Sequence, residues 1–211
     1  MALTIYGSPR SRTMRVLWMA EEVALAYEHV PVAWSDPWLK SPEFLRINPA
    51  GAIPAIVDDG FALSESLAIN LYLAKKFGRE RGLASSSIES DASALRWTLW
   101  AQGHLEPWVQ RDATLAEARA ALADHALPWI ARQLRVLDAE LARDGWLGGA
   151  RFTVADLNVA GVLSPTRSAQ LDLSKTLHVR NWLARCYARP AAVAVRARFA
   201  EFVERPIEPS T

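Results

Sequence analysis

Ile53-Pro54-Ala55-Ile56-Val57-Asp58-Asp59-Gly60-Phe61-Ala62-Leu63-Ser64-Glu65-Ser66-Leu67 carries two β-prone runs around an acidic, glycine-containing turn, and then the start of a helix. Two short runs joined this way predict a hairpin. Ser64 is the expected cap of the following helix, which carries Leu67, Leu71, Ala74 and Phe77 on one face and closes at Gly78. Upstream, Leu3-Thr4-Ile5-Tyr6 reads as a strand ended by Gly7-Ser8-Pro9. Val16, Met19, Ala20 and Val23 recur at helical spacing over 13–24, with Glu21 and Glu22 expected to point away from the core. Residues 27–32 return to strand. A stretch punctuated by Pro31, Pro37, Pro42 and Pro49 follows, in which 41–46 forms a short helix with Ser41 as cap and Pro42 at its first position. The order is βαβ, a short helix, then ββα. An open mixed sheet with helices packed against it accommodates that order most simply.

Beyond this unit the composition changes. Arg79-Glu80-Arg81-Gly82 and Ser85-Ser86-Ser87 are polar and small, as expected of a linker. The segments 89–108, 116–143, 154–163 and 175–202 are rich in Ala, Leu, Arg and Glu, the last broken at Pro190. The expected organisation is therefore an α/β domain over 1–78, a linker over 79–88 and an all-helical domain over 89–211. Within the helical part, Thr153 can cap a helix, Asp156 can answer as a shortened capping-box acid, and Phe152 can pack on Leu157 as a hydrophobic staple.

Composition narrows the classes of function. The 211 residues are 51% hydrophobic, and 24 basic against 23 acidic side chains leave a formal charge of +1. A nucleic-acid binder held by bulk electrostatics would be far more basic. The single cysteine, Cys186, cannot form an intramolecular disulfide. A reducing compartment suits it, and the cytoplasm is the expected location because no apolar run approaches the roughly 18 residues of a membrane span and no signal-peptide pattern opens the chain. Gly-x-Ser-x-Gly, phosphate-loop, Gly-x-Gly-x-x-Gly and His-Glu-x-x-His motifs do not occur. His29, His104, His125 and His178 lack paired ligand spacing, so no metal is expected.

Three further motifs stand in order along the chain: Asn48-Pro49-Ala50-Gly51-Ala52-Ile53-Pro54, Ser64-Glu65-Ser66-Leu67-Ala68-Ile69 and Phe152-Thr153-Val154-Ala155-Asp156. Together they closely resemble the cytosolic glutathione transferase family over essentially the whole chain. The opening Tyr6-Gly7-Ser8-Pro9-Arg10-Ser11-Arg12, with Arg15-Val16-Leu17-Trp18 and Glu21-Glu22, looks like a bacterial member. The resemblance implies a thioredoxin-like first domain that binds glutathione and a helical second domain that helps bind a small hydrophobic electrophile. It also implies glutathione as a co-substrate without any metal or redox cofactor, a homodimer, and neither nucleic-acid nor membrane partners. A glutathione-dependent isomerase or dehalogenase of the same fold, or a non-catalytic interaction module, remains an alternative.

Each motif has a physical reading. A cis Ile53-Pro54 bond would turn the Ile53 backbone N–H and C=O outward, to pair with an extended peptide as an added strand, although only about 5% of X-Pro bonds are cis. Glu65 and Ser66 sit where unpaired N–H groups and the helix dipole favour an anion, so Ser66 can hold the γ-glutamyl carboxylate and Glu65 can face its ammonium group. Simple capping explains the same residues. Lys40 resembles a family position that meets the glycine carboxylate. For thiol activation, a donor at the start of the first helix must stabilise the thiolate. Ser11 lies there, while the register of the flanking residues puts Arg10 at the family's serine position, and Arg12 is a third candidate. Tyr6 is expected to face the core. In the second domain Trp97, Trp100, His104 and Trp108 fall at i, i+3, i+7 and i+11, a stripe that the resemblance assigns to the electrophile pocket and that ordinary packing explains equally well. Arg111 can polarise an electrophile or form a surface ion pair. With Cys186 far from the 9–12 segment, the first domain has no redox thiol of its own, which argues against disulfide reductase activity and against the cysteine-type members of the family.

Overall fold

The computed structural model describes residues 2–84, 87–109, 116–169 and 171–202, with the main chain alone over 116–127. Strands β1 (Leu3–Tyr6), β2 (Tyr27–Val30), β3 (Ala55–Asp58) and β4 (Phe61–Ser64) form one mixed sheet in the order β2-β1-β3-β4. β1 is parallel to β2, and its neighbour β3 runs antiparallel to both β1 and β4. The parallel pair needs a crossover, supplied by α1 (Thr13–Glu22). The hairpin turn places Asp59 at φ +48° and Gly60 at φ +88°, the left-handed pair that a tight hairpin demands. This is the expected α/β, thioredoxin-like arrangement.

α1 and α3 (Ser66–Phe77) pack together. Ile5, Val16, Leu17, Met19, Ile56, Ile69 and Leu73 are all fully buried. A second cluster of Val32, Leu39, Phe44 and Ala55, joined by Tyr6, Trp38, Ile47 and Ile53, forms around a 3-10 turn (Pro37–Lys40) and α2 (Pro42–Ile47). Ser41 caps α2 by accepting from the Phe44 N–H, as expected.

Two local expectations need correction. Ser64 is the last residue of β4 and does not cap α3; Glu65 takes that place at φ +70°, without a side-chain cap bond. Glu22 does not point to solvent, because its carboxylate accepts the Trp18 indole N–H at 2.9 Å and is buried with it.

The chain divides into two compact units, 1–81 together with the segment from Pro190, and 82–189. The expected boundaries at 78 and 89 therefore shift, and α10 (Pro190–Arg198) belongs with the first unit rather than with the helical one. Arg198 pairs with Glu21 and donates to the Tyr27 hydroxyl, while Phe199 packs edge-on against His29, so the segment is tied to α1 and β2.

The second unit is built of helices joined by turns, with no strand longer than an isolated bridge among its described residues. α4 (Ile88–Trp100) runs through a π-helical turn (Ala101–Leu105) into α5 (Glu106–Val109), followed by α6 (Ala116–Asp144), α7 (Val154–Leu163), α8 (Pro165–Ser168) and α9 (Leu177–Tyr187). α7 is buried on every side, consistent with its apolar sequence, and packs against both α4 and α9. The capping box forms as expected: Thr153 Oγ1 accepts from the Ala155 N–H, and Asp156 accepts from the Thr153 N–H at 2.9 Å. Asp156 also accepts from the Leu147 N–H and the Trp182 indole, links the sequence reading does not reach. No helix among the described residues is long and apolar enough to cross a membrane.

Candidate active site

The register of the sheet assembles the site. Tyr6 stands opposite Ala55, and Ala55 opposite Ser64, so the chain leaving β1, entering β3 and leaving β4 meets along one end of the sheet. Gly7 begins the first of these segments, Ile53-Pro54 ends the second, and Glu65-Ser66 begins the third. The peptide bond between Ile53 and Pro54 is cis. Gly7 adopts φ +133°, and a Cβ there would lie 2.1 Å from Thr13 Oγ1 and 3.0 Å from Ile53 Cβ. Only glycine allows the β1–α1 turn to approach Ile53 this closely.

Within that turn, Ser11 Oγ donates to the Ser8 carbonyl at 2.7 Å and accepts from the Thr13 N–H at 3.1 Å. It also shares a 2.8 Å bond with Thr13 Oγ1. With the Ser11 proton on Ser8, Thr13 must be the donor in that contact. The hydroxyl is half-buried, whereas Arg10 and Arg12 are exposed. The helix cap is Arg12, and its side chain makes no cap bond. Tyr6 lies between Trp38 and Phe44, and burial, reinforced by Glu28 and Glu43, holds its phenol above the usual range. It stays protonated at neutral pH.

Ser66 opens α3 and is buried; its Oγ accepts from Arg15 Nη1 at 3.2 Å, so a cationic side chain from α1 reinforces the positive end of the α3 dipole. Glu65 is exposed beside it. Lys40 Nζ donates to the carbonyls of Ala50 and Gly51 at 3.3 and 2.9 Å, over the loop that leads to Ile53. Gly51 at φ +59° leaves room for that ammonium, since a Cβ would come within 2.6 Å of it. The turn that carries Ser11 thus approaches Ile53, Ser66 is tied to α1 through Arg15, and Lys40 stands over the loop that leads to Ile53.

Two contributors escape the sequence reading. Arg15 enters the resemblance only as a register mark, with nothing in a helical pattern to show that it reaches Ser66. His29 Nε2 lies 2.8 Å from the Gly7 carbonyl, a contact across two strands that only the register reveals.

In the helical unit, Trp97 and Trp100 meet edge-to-face at 5.0 Å, Trp100 and His104 lie 6.4 Å apart, and the row continues to Trp129 of α6, whose indole donates to the His104 carbonyl. Trp97 is buried, His104 exposed, and Trp100 and Trp108 half-buried. The uniform 3.6-residue period assumed for the stripe does not hold through the π turn, and Trp108 follows after it. Cys186 is buried in α9. Arg111 and the His125 side chain lie outside the described residues. No group of three or more His, Cys, Asp or Glu side chains able to hold a metal occurs among the described residues.

Comparison with known proteins gives this geometry a family. Residues 9–76 match the glutathione S-transferase N-terminal domain and residues 96–190 the glutathione S-transferase C-terminal domain. The chain is 34% identical over 205 residues to glutathione S-transferase 3 of Zea mays, covering 90% of each. It is 31% identical to the disulfide-bond oxidoreductase YfcG of Escherichia coli (strain K12) over 200 residues, covering 90% of this chain and 92% of that one. Among solved structures, the theta class glutathione S-transferase of Xanthomonas axonopodis pv. citri with glutathione bound superposes with a TM-score of 0.79 at 27% identity, over 91% of this chain and 95% of that one. Two family domains matched in order, and relatives this similar over nine-tenths of the chain, show that it belongs to the glutathione S-transferase family.

Proposed function

We propose that the protein is a glutathione transferase in which glutathione lies along the arc from Ser11 to Ser66 and attacks a small hydrophobic electrophile. The carrying observation is the Tyr6–Ala55–Ser64 register, which aligns the Gly7–Thr13 turn, Ile53-Pro54 and Glu65-Ser66 at one end of the sheet. The Ser66 hydroxyl and the α3 N-terminus receive the γ-glutamyl carboxylate, Glu65 its ammonium group, the Ile53 main chain the peptide, and Lys40 the glycine carboxylate. Ser11 donates to the thiolate. It does so by turning its proton from the Ser8 carbonyl to sulfur, while the two Thr13 donors polarise its oxygen and strengthen the bond it gives. Exposed Arg10 and Arg12 add a positive field, and Arg10 is the alternative donor. The thiolate forms a carbon–sulfur bond as the leaving group departs with its electron pair, and the thiol proton passes to solvent.

The aromatic row of Trp97, Trp100, His104 and Trp108 is assigned to the electrophile, for which flat apolar walls suit planar substrates. A bacterial source, expected from the opening segment, belongs to the same proposal, as do a cytoplasmic location and a homodimer. Calorimetry with glutathione, followed by turnover of a chloronitrobenzene, tests the reading. Binding with conjugation supports it; binding without conjugation favours the isomerase or dehalogenase alternative; and no binding at millimolar glutathione favours the interaction module.

A further inference from the structure

We propose that His29 is a positioning residue for thiol activation, its imidazole fixing the Gly7 carbonyl and thereby the turn that presents Ser11; this rests on the glutathione-transferase reading above. A carbonyl oxygen only accepts, so the 2.8 Å contact requires a proton on Nε2. Both main-chain groups of Gly7 are then held by β2, because its N–H donates to the Val30 carbonyl at 2.9 Å. The Gly7–Ser8 peptide leads directly to the Ser8 carbonyl, which receives both the N–H and the hydroxyl of Ser11. Rotation of the turn at Gly7 therefore displaces the partner on which the Ser11 hydroxyl rests. No residue other than glycine could brace this point by its own bulk, since a Cβ would strike Thr13, so the hold must come from outside the turn.

The imidazole is itself held. Phe199 packs edge-on at 5.2 Å, and the ring lines a cleft of about 700 Å³ with Glu21, Tyr27 and Arg198, the titratable and charged groups of that cleft. Half-buried between sheet and cleft, at the strand position opposite Ile5, His29 stands where an apolar strand residue would pack without any desolvation cost.

The test compares His29→Gln, whose amide nitrogen reaches as far as Nε2, with His29→Leu and with His29→Asn, whose amide is too short. Steady-state kinetics and thiolate absorbance of bound glutathione against pH are measured on the full chain. For Leu and Asn, kcat is expected to fall about tenfold at neutral pH, with the thiol titration displaced upward and KM for glutathione changed less than about twofold, while Gln restores both. Unchanged titration in Leu and Asn, or failure of Gln alongside them, overturns the proposal. If wild type does not bind glutathione, the transferase reading fails instead, and amide exchange at residues 8–13 of the unliganded protein decides the positioning role. Faster exchange in Leu and Asn than in wild type and Gln sustains that role, and equal exchange in all four refutes it.

Discussion

Replacing Ser66 by Ala separates binding from folding. The hydroxyl is buried at the first position of α3 and accepts a 3.2 Å bond from the buried guanidinium of Arg15. In the complex, losing a hydrogen bond to a charged carboxylate costs about 1.5–3 kcal/mol. That corresponds to a glutathione dissociation constant raised about 10- to 150-fold. In the free protein the substitution removes one acceptor from Arg15, at about 1–3 kcal/mol, and regains a few tenths from the better helix propensity of Ala. For a chain of this length each kcal/mol lowers Tm by about 2–4 °C. Calorimetry and a thermal melt on the same sample read the two effects. The dipeptide cysteinylglycine lacks the γ-glutamyl group and supplies the control: its affinity should be the same for wild type and Ser66→Ala. An unchanged dissociation constant for glutathione, or an equal loss with the dipeptide, would refute the assignment of Ser66 to the γ-glutamyl carboxylate.

Ser11→Ala should raise the titration point of bound glutathione by about one to two units and depress turnover, with affinity nearly intact, whereas the same shift in Arg10→Ala instead would move the role to the guanidinium; thiolate absorbance against pH tells them apart. Asp156→Ala strips the acceptor from four donors, the Leu147 and Thr153 N–H groups, the Thr153 hydroxyl and the Trp182 indole, and should destabilise the helical unit by about 3–5 kcal/mol in denaturant unfolding. Burial holds His29 below its ordinary value of 6.5, against a smaller opposing effect of its bond to Gly7. The unfolded chain therefore takes up a proton at a higher pH than the folded one does, so this contribution to stability is present above about pH 6.5 and is lost as pH falls through the folded-state value. Unfolding measured across that range should show the loss in wild type and its absence in His29→Gln.

The elements of the first unit were legible because each rests on local chemistry. Asp58-Asp59-Gly60 is an acidic, glycine-containing turn between two β-prone runs, Ser41-Pro42 is a helix start, and Leu3–Tyr6 is a β-rich run closed by Gly7-Ser8-Pro9. The segments that meet at this end of the sheet were legible through their motifs, but their meeting place is a matter of register, which no single segment specifies. The misreadings have several causes. Ser64 resembles a cap, yet its pairing with Ala55 extends the strand and pushes the helix start to Ser66. Glu22 looks solvent-facing until Trp18 claims it. The π turn at 101–105 carries no composition signal, and α10 reads like one more helix of the bundle until Arg198 and Phe199 find their partners on α1 and β2.

The return of α10 makes the helical unit an insertion. The first unit is built from residues on both sides of 82–189, which is itself one uninterrupted stretch. During synthesis the sheet emerges before residues 82–189 and the helix that packs on α1 emerges after them, so the inserted helices have the opportunity to fold before their host is complete. Excision therefore works in only one direction: a fragment of 82–189 retains all of its own unit, while a fragment ending at residue 81 exposes the surface of α1 and β2 that Arg198 and Phe199 cover.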